Sequence, residues 1–163
     1  MNSQLHTHRE SAASTGFREV VIVDSSCDQY GDFVRAAREG KISLHFCVDG
    51  RSAMRLARRF RADAWLVAAE LPDMSGFDLV DMLSPHVLQG DVDPLRAGAR
   101  ISLDRLGSDR HAAIFVVSDT YRIEDEQRAL AAGVAGYLVR PVTLDLVSRD
   151  LDVSCESTAS VPG

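Results

Sequence analysis

AWLVAAELPDMSGFDLV, residues 64–80, passes from an unbroken apolar run through a proline- and glycine-bearing loop into an amphipathic helix. The run AWLVAA (64–69) is short and apolar throughout, which fits a strand buried on both faces of a sheet. ELPDMSG breaks it, and Phe77, Val80 and Leu83 then recur on one side of a helix. Such a strand needs cover above and below, so the neighbouring segments should supply helices to both faces of one sheet.

Upstream, EVVIVD from Glu19 reads as a first strand ended by Asp24, and ISLHFCV (42–48) as a second. Between them, Asp28–Glu39 places Tyr30, Phe33, Val34 and Ala37 at helical spacing, with Gly40 as the stop. Ser52–Ala62 sets Met54, Leu56, Ala57 and Phe60 among Arg51, Arg55, Arg58, Arg59 and Arg61. This is a helix with a basic outer face, most simply solvated and otherwise able to meet an acidic partner. Downstream, IFVVS (114–118) is a fourth strand, Ile123–Ala132 an alanine-rich helix ending at Gly133, and GYLVR (136–140) a fifth strand. Thr143–Leu151 closes the series as a helix with Thr143 as N-cap. Five strands alternating with five helices predict an α/β fold, a doubly wound five-stranded parallel sheet with right-handed crossovers. Trp65, Phe33 and Phe115 are expected in its core.

Composition narrows what such a domain does. The chain has 163 residues, is 45% hydrophobic, and carries 24 acidic against 18 basic residues, a net charge of −6. That balance repels phosphate backbones, so no nucleic-acid partner is expected. No apolar run approaches the ~20 residues of a membrane span, and the start MNSQLHTHRESAAS lacks the apolar stretch of a signal peptide, so no membrane contact and a cytoplasmic location are expected. Cys27, Cys47 and Cys155 form no close pair and read as reduced thiols. Residues 1–17 read as a flexible tail, in which His6 and His8 are more simply solvated than metal-bound, 18–153 as the domain, and 154–163 as a second flexible tail. An insertion at about 85–112, between the third helix and fourth strand, far exceeds an ordinary connection and should lie at the amino ends of the strands.

In parallel sheets of this kind ligands sit at the carboxyl ends of the strands. Those ends offer Asp24, Ser25, Ala68 to Glu70, Ser118, Asp119 and Arg140. No GxGxxG or GxxxxGK[ST] loop follows the first strand, which argues against a dinucleotide or nucleoside triphosphate. No Ser/His/Asp, HExxH or CxxC arrangement offers enzyme chemistry, and none is expected.

Over residues 19–152 the chain resembles the receiver domain of bacterial response regulators, the CheY-like superfamily with a flavodoxin-like fold. The resemblance rests on LPDMSGFDLV (71–80), on VVSD (116–119) with Ser118 at the hydroxyl position, and on GVAGYLVRPV (133–142). The last segment puts Tyr137 at the switch aromatic and Arg140, before Pro141, at the lysine. The resemblance implies strand order 2-1-3-4-5, a two-component or phosphorelay setting, a partner that is a signalling protein or histidine-kinase pathway component, and a homodimer through the fourth helix, fifth strand and fifth helix. It also exposes departures. Ala68 occupies the phosphoacceptor position, Ser25 takes the second place of an acidic pair that keeps only Asp24, and Arg140 replaces the lysine.

A receiver needs oxygen ligands for Mg²⁺, an aspartate nucleophile, a hydroxyl and an ammonium. With carboxylates gone from two positions, Mg²⁺ binding should be weak or absent, and no cofactor is expected. Arg140, suited to bidentate carboxylate contact, should pair with Glu70 or Asp24 and fill the pocket with a fixed ion pair. The reading that follows is a pseudo-receiver acting through protein–protein interaction, with Tyr137 and Pro141 on its interaction surface. Two others compete with it. One is a sensor of a small anion rimmed by Ser25, Ser118 and Arg140; the other is a receiver phosphorylated at Asp24, Glu70 or Asp73.

Overall fold

A computed structural model of the protein describes residues 19–87 and 112–148. The two tails with His6, His8 and Cys155, and the insertion beyond residue 87, lie outside the described residues. The order is β1 (Glu19–Val23), a 3₁₀ turn (Cys27–Gln29), α1 (Gly31–Arg38), β2 (Ser43–Cys47), α2 (Gly50–Ala57), β3 (Ala64–Ala68) and α3 (Gly76–Val87). After the insertion come β4 (Ala113–Ser118), α4 (Ile123–Ala131) and β5 (Gly136–Val139). A last helix, α5, starts at residue 144 and is described to 148.

The strands form one parallel sheet in the order β2-β1-β3-β4-β5. β3 lies between β1 and β4 and is buried along its whole length, as its uniform apolar sequence requires. Alternation along each strand sends side chains to opposite faces. Val21, Val23, Trp65, Val67, Ile114 and Val116 meet Ala53 and Ala57 of α2, Leu79, Val80 and Leu83 of α3, and Ala129 of α4. Val20, Ile22, Leu66, Phe115 and Val117 meet Phe33 and Ala36 of α1 and Val147 of α5. Gly40 and Gly133 take positive φ just past α1 and α4, where a residue without Cβ ends a helix cheaply.

Several boundaries differ from the sequence reading, α1 beginning at Gly31 past Asp28 and α2 ending at Ala57 short of Ala62 among them, and contacts made in space account for two others. α2 begins at Gly50 instead of Ser52 because Asp49 caps it, accepting from the Ser52 N–H at 2.7 Å. The Asp73 carboxylate, from the loop after β3, also accepts from the Gly50 and Arg51 N–H groups at 2.9 and 3.0 Å. α3 continues through Pro85 to Val87, where burial of Val87 and Leu83 holds the last turn against the lost N–H. In α5, Thr143 precedes the first turn, and the Leu144 N–H donates to the Asp32 carboxylate of α1 at 2.8 Å. No helix of the described residues is long and apolar enough to cross a membrane.

Candidate functional site

The carboxyl ends of β1, β3, β4 and β5 open onto one cleft, lined among others by Asp24, Ser25, Glu70, Ser118, Asp119 and Arg140. Asp24 follows β1 and is 2% exposed, the one buried charged side chain among the described residues. Burying a carboxylate is tolerable only where its oxygens are satisfied. Here Oδ1 accepts from the Ser26 N–H at 2.9 Å. Oδ2 accepts from the Tyr30 hydroxyl at 2.7 Å and from the Arg140 guanidinium.

Arg140 reaches this point because β5 runs beside β4 and its backbone N–H continues the ladder to the Ser118 carbonyl at 3.0 Å. Its other terminal nitrogen donates to the Asp119 carboxylate at 2.7 Å, while Nε is buried without a partner among the described residues. Burial works against the Arg140 charge, yet the hydrogen bond to Asp24 and the nearby carboxylates raise its pKa above the ordinary value. Of the two carboxylates expected as its partner, the structure selects Asp24. β3 ends at Ala68, so the alternation that would have turned Glu70 inward does not persist; Glu70 is exposed, bridged to Ser75 across the loop.

Ala68 closes β3, nearly fully buried and in register with Val117 of β4. The chain folds back so tightly over it that a Cβ on Gly76 would lie 2.0 Å from the Ala68 carbonyl oxygen. This close approach is why the loop ELPDMSG ends in glycine. Ser25 is exposed at the mouth and Ser118 half-buried at the end of β4. Asp73, considered above as a substitute nucleophile, is turned away to the N-terminus of α2.

The donor set does not fit a hard divalent cation. Such a cation takes several carboxylate or carbonyl oxygens, and here serine follows Asp24 while alanine ends the neighbouring strand, one residue past the Val23–Val67 pair. Both Asp24 oxygens are already engaged, one of them by a guanidinium whose charge repels a cation. No group of three or more His, Cys, Asp or Glu side chains suited to a metal occurs among the described residues.

Tyr30 is the site residue that sequence reading missed. Its helical spacing marked it as core, and it is core at 1% exposure, but a buried phenol needs a partner for its hydroxyl. A tyrosine on the helix after a strand that ends in a lone aspartate was the available signal. Burial, and then the hydrogen bond to Asp24, push the Tyr30 phenol above its ordinary value of 10.0. A folded-state value raised above the unfolded one contributes stability that is complete below the unfolded value and lost as pH climbs through the folded one. Resistance to urea should therefore hold up to about pH 10 and fall above it. Tyr30→Phe should show less of that alkaline loss; the same pH dependence in both proteins would refute this role for the hydroxyl.

On the β5 side, the half-buried Tyr137 donates to the Thr120 carbonyl at 3.0 Å and meets Tyr121 edge-on, ring centroids 6.1 Å apart. Pro141, joined to Arg140 by a cis peptide, is exposed. Tyr121, and Ile123 and Leu130 of α4, are each more than half exposed. Arg128 of α4 lies over the Phe77 ring at 4.7 Å and within 3.6 Å of Asp78, tying α4 to α3 at the cleft's edge. Cys27 is exposed and Cys47 buried, both as free thiols.

No family model matches the chain. The transcriptional regulatory protein PrrA of Mycobacterium bovis and that of Mycobacterium tuberculosis are each 28% identical over 131 residues, covering 80% of this chain and 47% of theirs. The chain thus spans about half the length of the curated relatives it matches. A two-component response regulator from Clostridium difficile superposes with TM-score 0.64 at 15% identity, over 88% of this chain and 99% of that one. A response regulator protein from Burkholderia pseudomallei, solved with a phosphorylated aspartic acid, calcium ion and citrate, gives 0.62 at 18% identity, over 89% and 75%. The fold is that of response-regulator receivers.

Proposed function

We propose that this chain is a receiver-like signalling module of a two-component pathway that acts by protein–protein interaction and accepts no phosphoryl group. The observation that carries the reading is Ala68, whose methyl group closes β3 at the position where the resemblance calls for the acceptor aspartate. A methyl can neither attack phosphorus nor ligate a cation. The ion pair of Arg140 with Asp24 and Asp119, with Tyr30 donating to Asp24, holds the strand ends in one arrangement without phosphate. In this reading the module has no enzyme activity and no Mg²⁺ requirement. Its partner, a pathway protein or a second copy, is met through the surface around Tyr137, α4, β5 and α5.

The competing anion sensor has less support. The cleft is lined by four carboxylates, Asp24, Glu70, Asp119 and Asp125, against three guanidiniums, Arg122, Arg128 and Arg140. Arg140 is moreover already committed to two of those carboxylates.

The test is intact mass after incubation with Mg²⁺ and a small-molecule phosphodonor, beside an ordinary receiver that gains the phosphoryl mass. No added mass is expected here. A stable adduct of one phosphoryl group would overturn the reading, and mapping it to Asp24, Glu70 or Asp73 would name the acceptor.

A further inference from the structure

Residues 50–61, GRSAMRLARRFR, carry five arginines and no acidic residue in a chain whose net charge is −6. Arg51, Arg55, Arg58, Arg59 and Arg61 are all exposed. Arg61 reaches the His86 carbonyl, but Arg51, Arg55, Arg58 and Arg59 take part in no ion pair among the described residues. These four guanidiniums form a positive field on an acidic protein, and Asp49 at the start of α2 lies within the field of Arg51 and Arg55.

These arginines border an unpaired strand. β2 is the outer strand of the sheet, with β1 on one side and no strand on the other among the described residues. The Cys47 carbonyl faces inward, accepting from the Asp24 N–H at 2.9 Å. Alternate residues present their backbone groups to opposite sides, so Leu44 and Phe46 offer N–H and C=O to the open edge. A groove runs along this edge, with His45 and Phe46 on the β2 side and Arg55, Leu56 and Arg59 on the α2 side.

The two faces of the edge differ. His45 meets the Phe60 ring at a tilt of 55°, centroids 4.4 Å apart, and Cys47 packs with Ala53 and Ala57, so these side chains lie on the α2 face with Arg55 and Arg59. Phe46 points to the other face, its ring centroid 6.4 Å from that of Tyr30 just before α1, while remaining 38% exposed, and Val48 just beyond is 55% exposed. A chain added to β2 would therefore alternate between a cationic and an apolar environment. Arg55 lies in the last turn of α2 and Arg59 in the turn that follows it, where its N–H donates to the Leu56 carbonyl at 3.0 Å, and both line the groove. Alternate side chains of an extended chain fall on the same face, so two acidic residues with one apolar residue between them present both acids to the arginines and the apolar side chain to the face of Phe46.

We propose that the β2–α2 flank docks an extended segment of a partner protein, in which acidic and apolar residues alternate, as a sixth strand along β2. Backbone pairing supplies affinity that does not depend on side chains, and the Arg55 and Arg59 contacts select acidic residues. The flank lies at the opposite edge of the sheet from β5, so the inference stands apart from the reading of the cleft.

The test uses the full chain and a labelled synthetic peptide of alternating Glu and Val, with a second peptide of the same composition whose acids are contiguous. Saturable binding of the alternating peptide is expected, weakened by salt, with amide shifts concentrated in residues 43–48 and 50–59. Arg55→Glu with Arg59→Glu should weaken it at least about tenfold. Both side chains are exposed, so the variant should fold, which circular dichroism checks; Phe46→Ser, tested in parallel, should weaken binding through the apolar face. The proposal fails if no binding saturates by ~1 mM peptide, if the block peptide binds equally well, or if the double charge reversal has no effect. It also fails if the flank engages only anionic vesicles or a second copy of the chain.

Discussion

Arg140→Ala should lower the stability of the fold by about 3–5 kcal/mol, the cost of leaving a buried carboxylate without its counter-charge. Asp24 would keep the Ser26 N–H and the Tyr30 hydroxyl, two neutral donors, and lose the guanidinium that balances its charge. For a chain of 163 residues the loss corresponds to a melting temperature lower by roughly 6–20 °C. Combining Asp24→Asn with Arg140→Met should recover most of it, because removing both members of a buried pair leaves no stranded charge. Thermal and urea unfolding of the single and double variants measure the difference. A loss under ~1 kcal/mol for Arg140→Ala would place the pair among exposed contacts that add little, and the fixed ion pair would then not organise the cleft.

Gly76→Ala should be comparably disruptive, at about 3 kcal/mol or more, for a steric reason. The added methyl would stand 2.0 Å from the Ala68 carbonyl oxygen and 2.8 Å from its carbonyl carbon, both backbone atoms at the end of the buried central strand. Neither can swing aside as a side chain would, so α3 must shift bodily away from the cleft. Gly31→Ala is the matched control, since nothing lies within 4 Å of a methyl there and that change should be close to neutral. Equal melting temperatures for the two variants would show that the β3–α3 turn is looser than its geometry states.

Local pattern made the architecture legible. An apolar run of strand length, a glycine past a helix and a helical recurrence of Phe77, Val80 and Leu83 are properties of a few consecutive residues. From their alternation came the parallel sheet, its order by resemblance, and the strand ends that form the cleft. That Ala68 stands three residues before Leu71, where the resemblance implies an acceptor aspartate, came from the resemblance and not from local pattern.

Pairings between segments were not legible. Arg140 lies 116 residues from Asp24, and its choice of Asp24 over Glu70 depended on β3 ending at Ala68. Tyr30 looked like any apolar position until its hydroxyl was seen against Asp24, and Asp73 like a loop carboxylate until it was seen on the N-terminus of α2. Periodicity reports which side of an element faces the core, because that is decided by neighbours along the chain. A hydrogen bond or ion pair depends on which atoms come within about 3 Å of each other, and only the packed sheet and helices bring these together.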